Sequence, residues 1–342
     1  MGDVELGIEP VRPSRRHRHP ALMFLARRIA ASVATVFVAT ALIFAATNAL
    51  PGDVAQVVLG KYATPQRVAA LRQQLRLNRP LVVRYESWLV SAARGDLGQS
   101  AVELANGVPS APVWGLIKTP LRNSVILALG TVILLIPLSL ITGTAAAVRA
   151  GRPSDYLISY GALVIGSLPE FVIGTFLIAL LFLKLDLLPP VALVPPGSTP
   201  LSHPTALILP ILTLLGVSLA FSARQVRAGV ANVLRQDFVT MARLSGLPER
   251  RVLARYVVRN ALAPSVQTFA QSIQYLFGGI IIVESLFTYP GIGQLLVESV
   301  SERDVTLVQG ITLVLAVVYI AINILADFLV VLMVPQLRTS LR

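Results

Sequence analysis

The sequence contains no cysteine, which excludes disulfide bonds and metal sites built from thiolates. It has only three lysines, Lys61, Lys118 and Lys184, and none of them ends a G-x-x-x-x-G-K-[ST] run, which excludes a P-loop nucleotide site. Charged residues are also scarce, at 13% of the chain, whereas 55% of the residues are hydrophobic. This balance excludes an ordinary water-soluble domain and indicates a polytopic membrane protein.

Six apolar stretches are each long enough to cross a hydrocarbon core of about 30 Å, which takes about 20 helical residues. They lie near residues 29–50, 121–148, 156–183, 205–223, 262–287 and 306–334. The arginines before the first stretch also fit a signal peptide, but its apolar run is longer than a usual signal core and more spans follow it. The sequence therefore predicts an all-α polytopic protein with six transmembrane helices.

The distribution of arginines predicts the orientation of these spans. Arginines are concentrated in the N-terminal tail, in the 149–155 turn, in the 224–260 segment and at the C-terminus, whereas the connections 184–204 and 298–304 carry few basic residues. By the positive-inside rule, both termini are expected in the cytoplasm. The same distribution explains the net charge of +12 without a nucleic-acid partner. Arg224 and Arg227, at the inner end of the fourth span, are placed to meet lipid phosphate or a cytoplasmic partner, with membrane lipid favoured.

These spans divide the chain into five parts. They are a cytoplasmic extension (1–23), a first transmembrane helix (24–50), an external loop (51–120), a membrane core (121–334) that includes a cytoplasmic loop (224–261), and a cytoplasmic tail (335–342). In the external loop, Thr64 and Pro65 are typical of a helix start, and a second amphipathic stretch runs up to Gly95. Two short helices are expected there, either covering a pore mouth or serving only to cap the packing.

The cytoplasmic loop has more regular structure than a simple connector needs. Asp237 is placed to cap a short helix, and Phe238, Met241 and Ala242 fall on one face of it. An ordinary basic loop that merely obeys the positive-inside rule is the alternative.

The end of that short helix favours a docking element over an ordinary loop. Gly246 stands where a helix ends with a residue in the left-handed conformation, and Pro248 prevents the helix from continuing. Leu247 is positioned to pack back on the helix. Arg251, Arg255 and Arg259 then recur every fourth residue and predict a positive stripe on a second helix.

This loop closely resembles the "EAA" coupling loop of ABC importer permeases, in the longer form of the dipeptide/oligopeptide branch. The resemblance rests on Ala242-Arg-Leu-Ser-Gly246-Leu-Pro-Glu-Arg-Arg251 and on Arg259-Asn-Ala-Leu-Ala-Pro264. Further fragments occur in the family's order: Leu50-Pro-Gly-Asp53, Leu77-Asn-Arg-Pro-Leu81, Arg94-Gly-Asp-Leu-Gly98, Ser167-Leu-Pro-Glu-Phe171, Leu187-Leu-Pro189, Glu284-Ser-Leu-Phe-Thr-Tyr-Pro-Gly-Ile-Gly293, and Arg303-Asp304 with Val308-Gln-Gly310. The chain departs from the branch at Leu244-Ser-Gly246, where Ala-Lys-Gly is common, and in its extension through Pro20.

The resemblance implies a type I ABC importer permease fold in a bacterial inner membrane. Such a permease pairs with a homologous second permease, docks on two ATP-binding subunits, and receives short peptides from an external binding protein; haem, nickel chelates and glutathione are alternative cargoes in similar permeases. The ATPase partners would bind ATP and Mg²⁺, so this chain is expected to hold no cofactor and to be no enzyme. The residues to which the resemblance assigns ATPase coupling are Asp237, Phe238, Met241, Ala242, Arg243, Gly246, Leu247 and Arg251.

Acidic residues inside spans are candidates for function because each costs about 2.5–3.5 kcal/mol at the bilayer centre. Glu170 and Glu284, with Tyr289 and Pro290 in the turn after Glu284, are therefore pore or gate candidates, although helix packing is an equal alternative for the carboxylates. A rival hypothesis is a proton-driven secondary transporter that uses these carboxylates and Asp327. That class favours internal repeats, and this sequence has none that is convincing. An intramembrane enzyme is disfavoured because no span carries a catalytic or metal-ligating cluster.

Overall fold

The computed structural model describes residues 20–49, 52–195 and 197–333. Their regular structure is helical throughout, and these residues contain no β-strand. In chain order the helices are α1 (Pro20–Ala49), α2 (Val54–Leu59), α3 (Pro65–Gln74), α4 (Leu81–Ala93), α5 (Ala101–Ala105), α6 (Val113–Val148), α7 (Pro153–Gly166), α8 (Glu170–Ile178), α9 (Thr205–Leu234), α10 (Asp237–Leu244), α11 (Glu249–Arg251), α12 (Arg259–Leu286), α13 (Ile292–Ser301) and α14 (Val305–Met333). π-helical turns at Ala179–Lys184 and Val252–Val258 extend α8 and join α11 to α12. Apart from 20–23, the predicted extension 1–23 and the whole tail 335–342 lie outside the described residues.

Five helices, α1, α6, α9, α12 and α14, are individually long and apolar enough to cross a membrane. The predicted third span is not one straight helix: α7 and the helix through Lys184 pass the same test only as a pair, bent by 104°. The break has a local cause, because a residue before proline is driven away from helical backbone angles and Pro169 itself is extended (φ −62°, ψ 151°). With the bent pair counted as one span, the described residues contain six candidate spans, the number that the sequence predicts. The second span begins already at Val113, and the fourth continues to Leu234 rather than ending at residue 223.

Helix α9 lies at the centre of the membrane core and packs against α6, α7, α8 and α12. Its apolar side, which includes Leu214, is buried among large side chains such as Leu127, Leu276 and Phe287. The α6–α9 contact depends on Gly143, because a Cβ there would lie 2.7 Å from the Ala223 carbonyl oxygen. Backbones this close transmit displacement from one helix to the other, since packed interiors deform little.

The 52–112 segment is a small helical layer that holds the two predicted helices, α3 and α4, and two that the sequence did not predict, α2 and α5. Helix α3 begins at Pro65, where Thr64 Oγ1 accepts a hydrogen bond from the Arg67 N–H (3.3 Å), and α4 ends just before Gly95, whose φ is +87°. Within the layer, Ala55, Leu59 and Leu71 form a buried cluster of their own. The segment is therefore structured rather than a bare connector.

One buried carboxylate fastens this layer to the membrane helices. Asp304 accepts hydrogen bonds from Ser100 Oγ, Ala101 N (3.1 Å) and Val102 N (3.3 Å) at the start of α5, and from Leu307 N (3.0 Å) at the start of α14. It thus caps two helices that are about 200 residues apart in sequence.

Replacing Asp304 with alanine should loosen the 52–112 layer. The change leaves several buried N–H and O–H donors without an acceptor, at a cost of about 3 kcal/mol. We expect faster proteolytic cleavage within 52–112 in the purified protein, with the membrane helices still inserted. Asp304→Asn should be intermediate because its amide keeps one acceptor oxygen, and Glu302→Ala, at an exposed neighbour, should match the wild type. Unchanged cleavage in Asp304→Ala would show that the carboxylate does not hold the layer.

Candidate functional site

Helix α10 begins one residue earlier than the cap prediction requires. Gln236 holds the N-cap position with extended backbone (φ −77°, ψ 144°), and its carbonyl oxygen accepts from Val239 N at 3.0 Å. Asp237 is the first helical residue, so the prediction that Asp237 caps the helix is wrong. Its carboxylate instead lies in the first turn, where a negative charge is favourable near the positive end of the helix dipole.

The buried side of α10 differs from the predicted apolar face. Val239 and Ala242 are buried against the chain itself, so Ala242 does not share an exposed face with Phe238 and Met241 as predicted. The outward apolar side chains are Phe238, Met241 and Leu244, with 42%, 64% and 77% of their surface exposed. We call these three the docking ridge. Leu244 was not among the predicted residues. Its position three residues after Met241, which places both on one side of the helix, could have revealed it.

The inner side of α10 is packed on the ends of three membrane helices. Val239 and Ala242 belong to one buried cluster with residues of α6, α9 and α12. Those partners are Ala147, Val226, Val230, Ala261 and Phe269, and the cluster also holds Val252 and Val257 of the π-helical turn. Since α10 packs against the Val252–Val258 turn, which itself packs on α9 and α12, a force applied to the docking ridge would reach the membrane helices through this cluster.

The turn after α10 forms as the sequence predicts. Gly246 has φ +72°, its N–H donates to the Arg243 carbonyl oxygen (3.0 Å), and the Leu247 N–H donates to the Ala242 carbonyl oxygen (3.4 Å). These are the two hydrogen bonds of a Schellman helix end. Leu247 packs back against the buried cluster, as expected.

A salt bridge closes the same turn from outside. Arg243 Nε and Nη2 contact Glu249 Oε2 and Oε1 at 3.2 and 2.7 Å. The hydrogen bond from the guanidinium lowers the pKa of the Glu249 carboxyl group, and the same bond raises the pKa of Arg243. Arg243 is thus engaged within the chain, whereas Arg251 is exposed. The following Val252–Val258 turn is π-helical, so the three arginines spaced four residues apart do not form a stripe on a regular α-helix as predicted.

The carboxylate of Glu284 is enclosed by the turn that follows α12, and none of its surface is exposed. Its Oε1 accepts from Ser124 Oγ of α6 (2.5 Å), and its Oε2 accepts from Gly293 N of α13 (2.7 Å). Ser124 Oγ in turn accepts from Ile292 N (2.8 Å). Glu284 therefore joins α6, α12 and α13.

Tyr289 and Pro290 belong to the same junction. The Tyr289 hydroxyl donates to the Asn123 carbonyl oxygen, and Asn123 Nδ2 donates to the Pro290 carbonyl oxygen, both at 2.8 Å. Tyr289 is fully buried and Pro290 is partly buried. In this conformation the Glu284 and Tyr289 side chains join α6 to the turn between α12 and α13, and their role at a pore or gate stays a prediction.

Glu170 stands in a different environment. It is the first residue of α8, directly after the break in the third span, and its carboxyl group interacts with the Tyr275 side chain. Glu170 also lines a groove of about 750 Å³ between α1, α12 and α14. The side chain of Asp327 lies outside the described part of the chain.

Arg227 forms an ion pair within the chain, which the sequence did not predict. Its Nε and Nη2 contact Asp155 Oδ1 and Oδ2 of α7 at 2.6 and 2.7 Å, and Gly151 N and Ser159 Oγ complete the shell of that buried carboxylate. Arg224, one turn earlier, is exposed. The sequence did not reveal this ion pair because its partners are 72 residues apart.

Similarity to known proteins covers both the membrane core and the N-terminal part. Residues 136–339 match the family of binding-protein-dependent transport system inner membrane components, and residues 21–118 match the N-terminal part of such components. A probable peptide ABC transporter permease of Sinorhizobium fredii is 31% identical over 92% of this chain and 99% of its own length. A glutathione transport system permease of Shigella flexneri is 32% identical over 93% of this chain and 99% of its own length. A putative peptide transport system permease of Brucella abortus is 32% identical over 91% of this chain and 98% of its own length. The chain therefore belongs to the family of binding-protein-dependent transport inner membrane components, the permeases with the type I ABC importer fold.

Proposed function

We propose that this chain forms half of the translocation pathway of an ATP-driven importer of short peptides. A homologous second permease would form the other half, two ATP-binding subunits would dock from the cytoplasm, and an external binding protein would deliver the cargo. The observation that carries the proposal is the docking ridge of Phe238, Met241 and Leu244, which is exposed on one side of α10 and backed by membrane helices on the other.

The chemistry of ATP hydrolysis would belong to the partners. The sequence has no P-loop, so ATP and Mg²⁺ would bind the ATPase subunits, and this chain would hold no cofactor and catalyse no reaction. An apolar helix face in a groove is a common recognition mode, and the arginines that flank α10 would steer it. Closing of the ATPase subunits would displace α10 and, through its buried cluster, the ends of α6, α9 and α12.

The proposal also assigns sides to the segments. The protein is a multi-pass component of the inner membrane, and we place α10 and both termini in the cytoplasm because the arginines cluster there. The 52–112 layer would then face the binding protein. Peptide is the favoured cargo because two similar permeases carry that name, and glutathione, named for the third, is the second candidate.

The direct test is to purify the complex from its host, identify the chains that accompany it, and measure ATP hydrolysis in proteoliposomes. We expect two permeases and two ATPase subunits, with hydrolysis stimulated by binding protein loaded with peptide. This chain alone in liposomes should transport nothing. Uptake of peptide by the isolated chain in response to a proton gradient would instead support the secondary-transporter hypothesis.

A further inference from the structure

Two cavities meet at one tyrosine on the α8–α9–α12 side of the molecule. The groove beside Glu170 is also lined by Gln274 and Tyr275. A second cavity, of about 280 Å³, is lined by Tyr275 together with Ser218, Arg224 and residues of the preceding turn of α12. Those residues are Gln271 and Ser272. Because Tyr275 lines both cavities, we treat their linings as one surface, which is mostly apolar and carries a few polar and charged groups.

This surface carries one charge of each sign. Glu170 is the charged residue of the groove, and Arg224 is that of the second cavity. Within residues 20–49, 52–195 and 197–333 neither makes a salt bridge, whereas Asp155 and Arg227 nearby are fully paired. Charged side chains in spans normally pair or face a substrate pathway, so both groups have unused capacity for a ligand.

One uncharged group on the same surface, the Ser218 hydroxyl, also lacks a partner among the described residues. Ser218 is 2% exposed, and its hydroxyl has no hydrogen-bond partner among the described residues, although the Ser222 and Ser272 hydroxyls beside it bond to each other at 2.7 Å. A buried hydroxyl that lines a cavity without a partner is costly unless something fills the cavity. In the groove, Gly279 leaves room beside the Glu170 carboxylate, because a Cβ at residue 279 would lie 3.1 Å from Glu170 Oε1.

We propose that this surface binds the two charged termini of a short peptide, with the ammonium group at Glu170 and the carboxylate at Arg224. Ser218, Gln271 and Tyr275 would supply hydrogen bonds to the peptide backbone between them. From Ser272, which lines the Arg224 cavity, to Gly279, which abuts Glu170, α12 rises about 10 Å. An extended chain of three residues spans about the same distance. The proposal deepens the peptide-importer function and rests on it.

The test uses the complete complex in nanodiscs without the binding protein, so that the binding protein's own selectivity does not enter. Binding of trialanine, N-acetyl-trialanine and trialanine amide would be titrated by saturation-transfer NMR. We expect each blocked terminus to weaken binding to the wild type about ten-fold. Glu170→Gln should weaken the binding of trialanine about as much, and acetylation of the peptide should then weaken binding no further, whereas amidation still should. In Arg224→Gln, amidation should weaken binding no further, whereas acetylation still should.

Matched controls are Glu302→Gln and Arg149→Gln, which remove exposed charges outside both cavities and should bind like the wild type. The site is wrong if trialanine shows no saturable binding, or if the two site variants keep both penalties. A separate assay, ATP hydrolysis by the wild-type complex with binding protein loaded with peptide, distinguishes failure of the site from failure of the importer function. If hydrolysis is stimulated but the Glu170→Gln and Arg224→Gln variants bind trialanine like the wild type, only the proposed site is wrong. If hydrolysis is not stimulated, the proposed importer function is wrong.

Discussion

Replacing Leu244 with glutamate is expected to abolish ATP-driven uptake while the chain still folds and inserts. Leu244 is 77% exposed, so the change removes almost no contact within the chain. In the docked complex the new carboxylate would enter an apolar groove without a partner, which is costly. A central anchor of an interface is worth about 2 kcal/mol or more, which is roughly a thirty-fold loss of affinity for the ATPase. Co-purification of the ATPase subunits and uptake in proteoliposomes measure the two effects.

The matched control is Leu244→Met, which keeps an apolar side chain of similar volume and should retain uptake. The Gly246→Glu substitution is a less specific test, because φ at Gly246 is +72° and any side chain there strains the turn. If Leu244→Glu kept both ATPase binding and uptake at wild-type levels, the docking ridge would not be the coupling surface.

The coupling loop shows where sequence reasoning succeeds and where it stops. The glycine stop at Gly246 and the returning Leu247 follow from local backbone preferences, so the sequence was sufficient to predict them. The face that points outward depends on where Val226 and Val230 of α9 lie, and those contacts join distant parts of the chain. Ala242 was therefore assigned to the wrong side, and Leu244 was overlooked.

The third span shows the same division. Pro169 predicts a local interruption, but the 104° bend is set by packing, since Gly174 lets α8 approach α12 so closely that a Cβ there would lie 2.4 Å from Leu286 Cδ2. Glu284 drew attention as an acidic residue in a span. Its main partner, Ser124, lies 160 residues away, so no pattern in the sequence distinguishes this buried junction from a gate.

Replacing Glu284 with alanine is expected to destabilise the whole permease. The change leaves the Ser124 hydroxyl and the Gly293 N–H without their acceptor and opens a cavity where α6, α12 and α13 meet. Unsatisfied buried donors and the cavity together cost about 4 kcal/mol, which lowers the melting temperature by roughly 10 °C. Glu284→Gln should be intermediate, because its amide oxygen still accepts one of the two hydrogen bonds. A gate residue without a packing role would leave the melting temperature unchanged in both variants.

A second substitution tests whether the carboxylate is what confines this turn. A Cβ on Gly291 would lie 2.1 Å from Glu284 Cδ, so Gly291→Ala alone should destabilise the protein by several kcal/mol, in the range found for overpacking. In the double variant Glu284→Ala/Gly291→Ala, the new methyl group occupies space that the carboxylate has left. The two losses should therefore be clearly less than additive, with a coupling of about 1–3 kcal/mol in a double-mutant cycle of thermal unfolding. Additive losses would mean that the backbone conformation at residue 291, rather than the nearby Glu284 side chain, requires a glycine. The junction would then not depend on the close contact between Gly291 and Glu284.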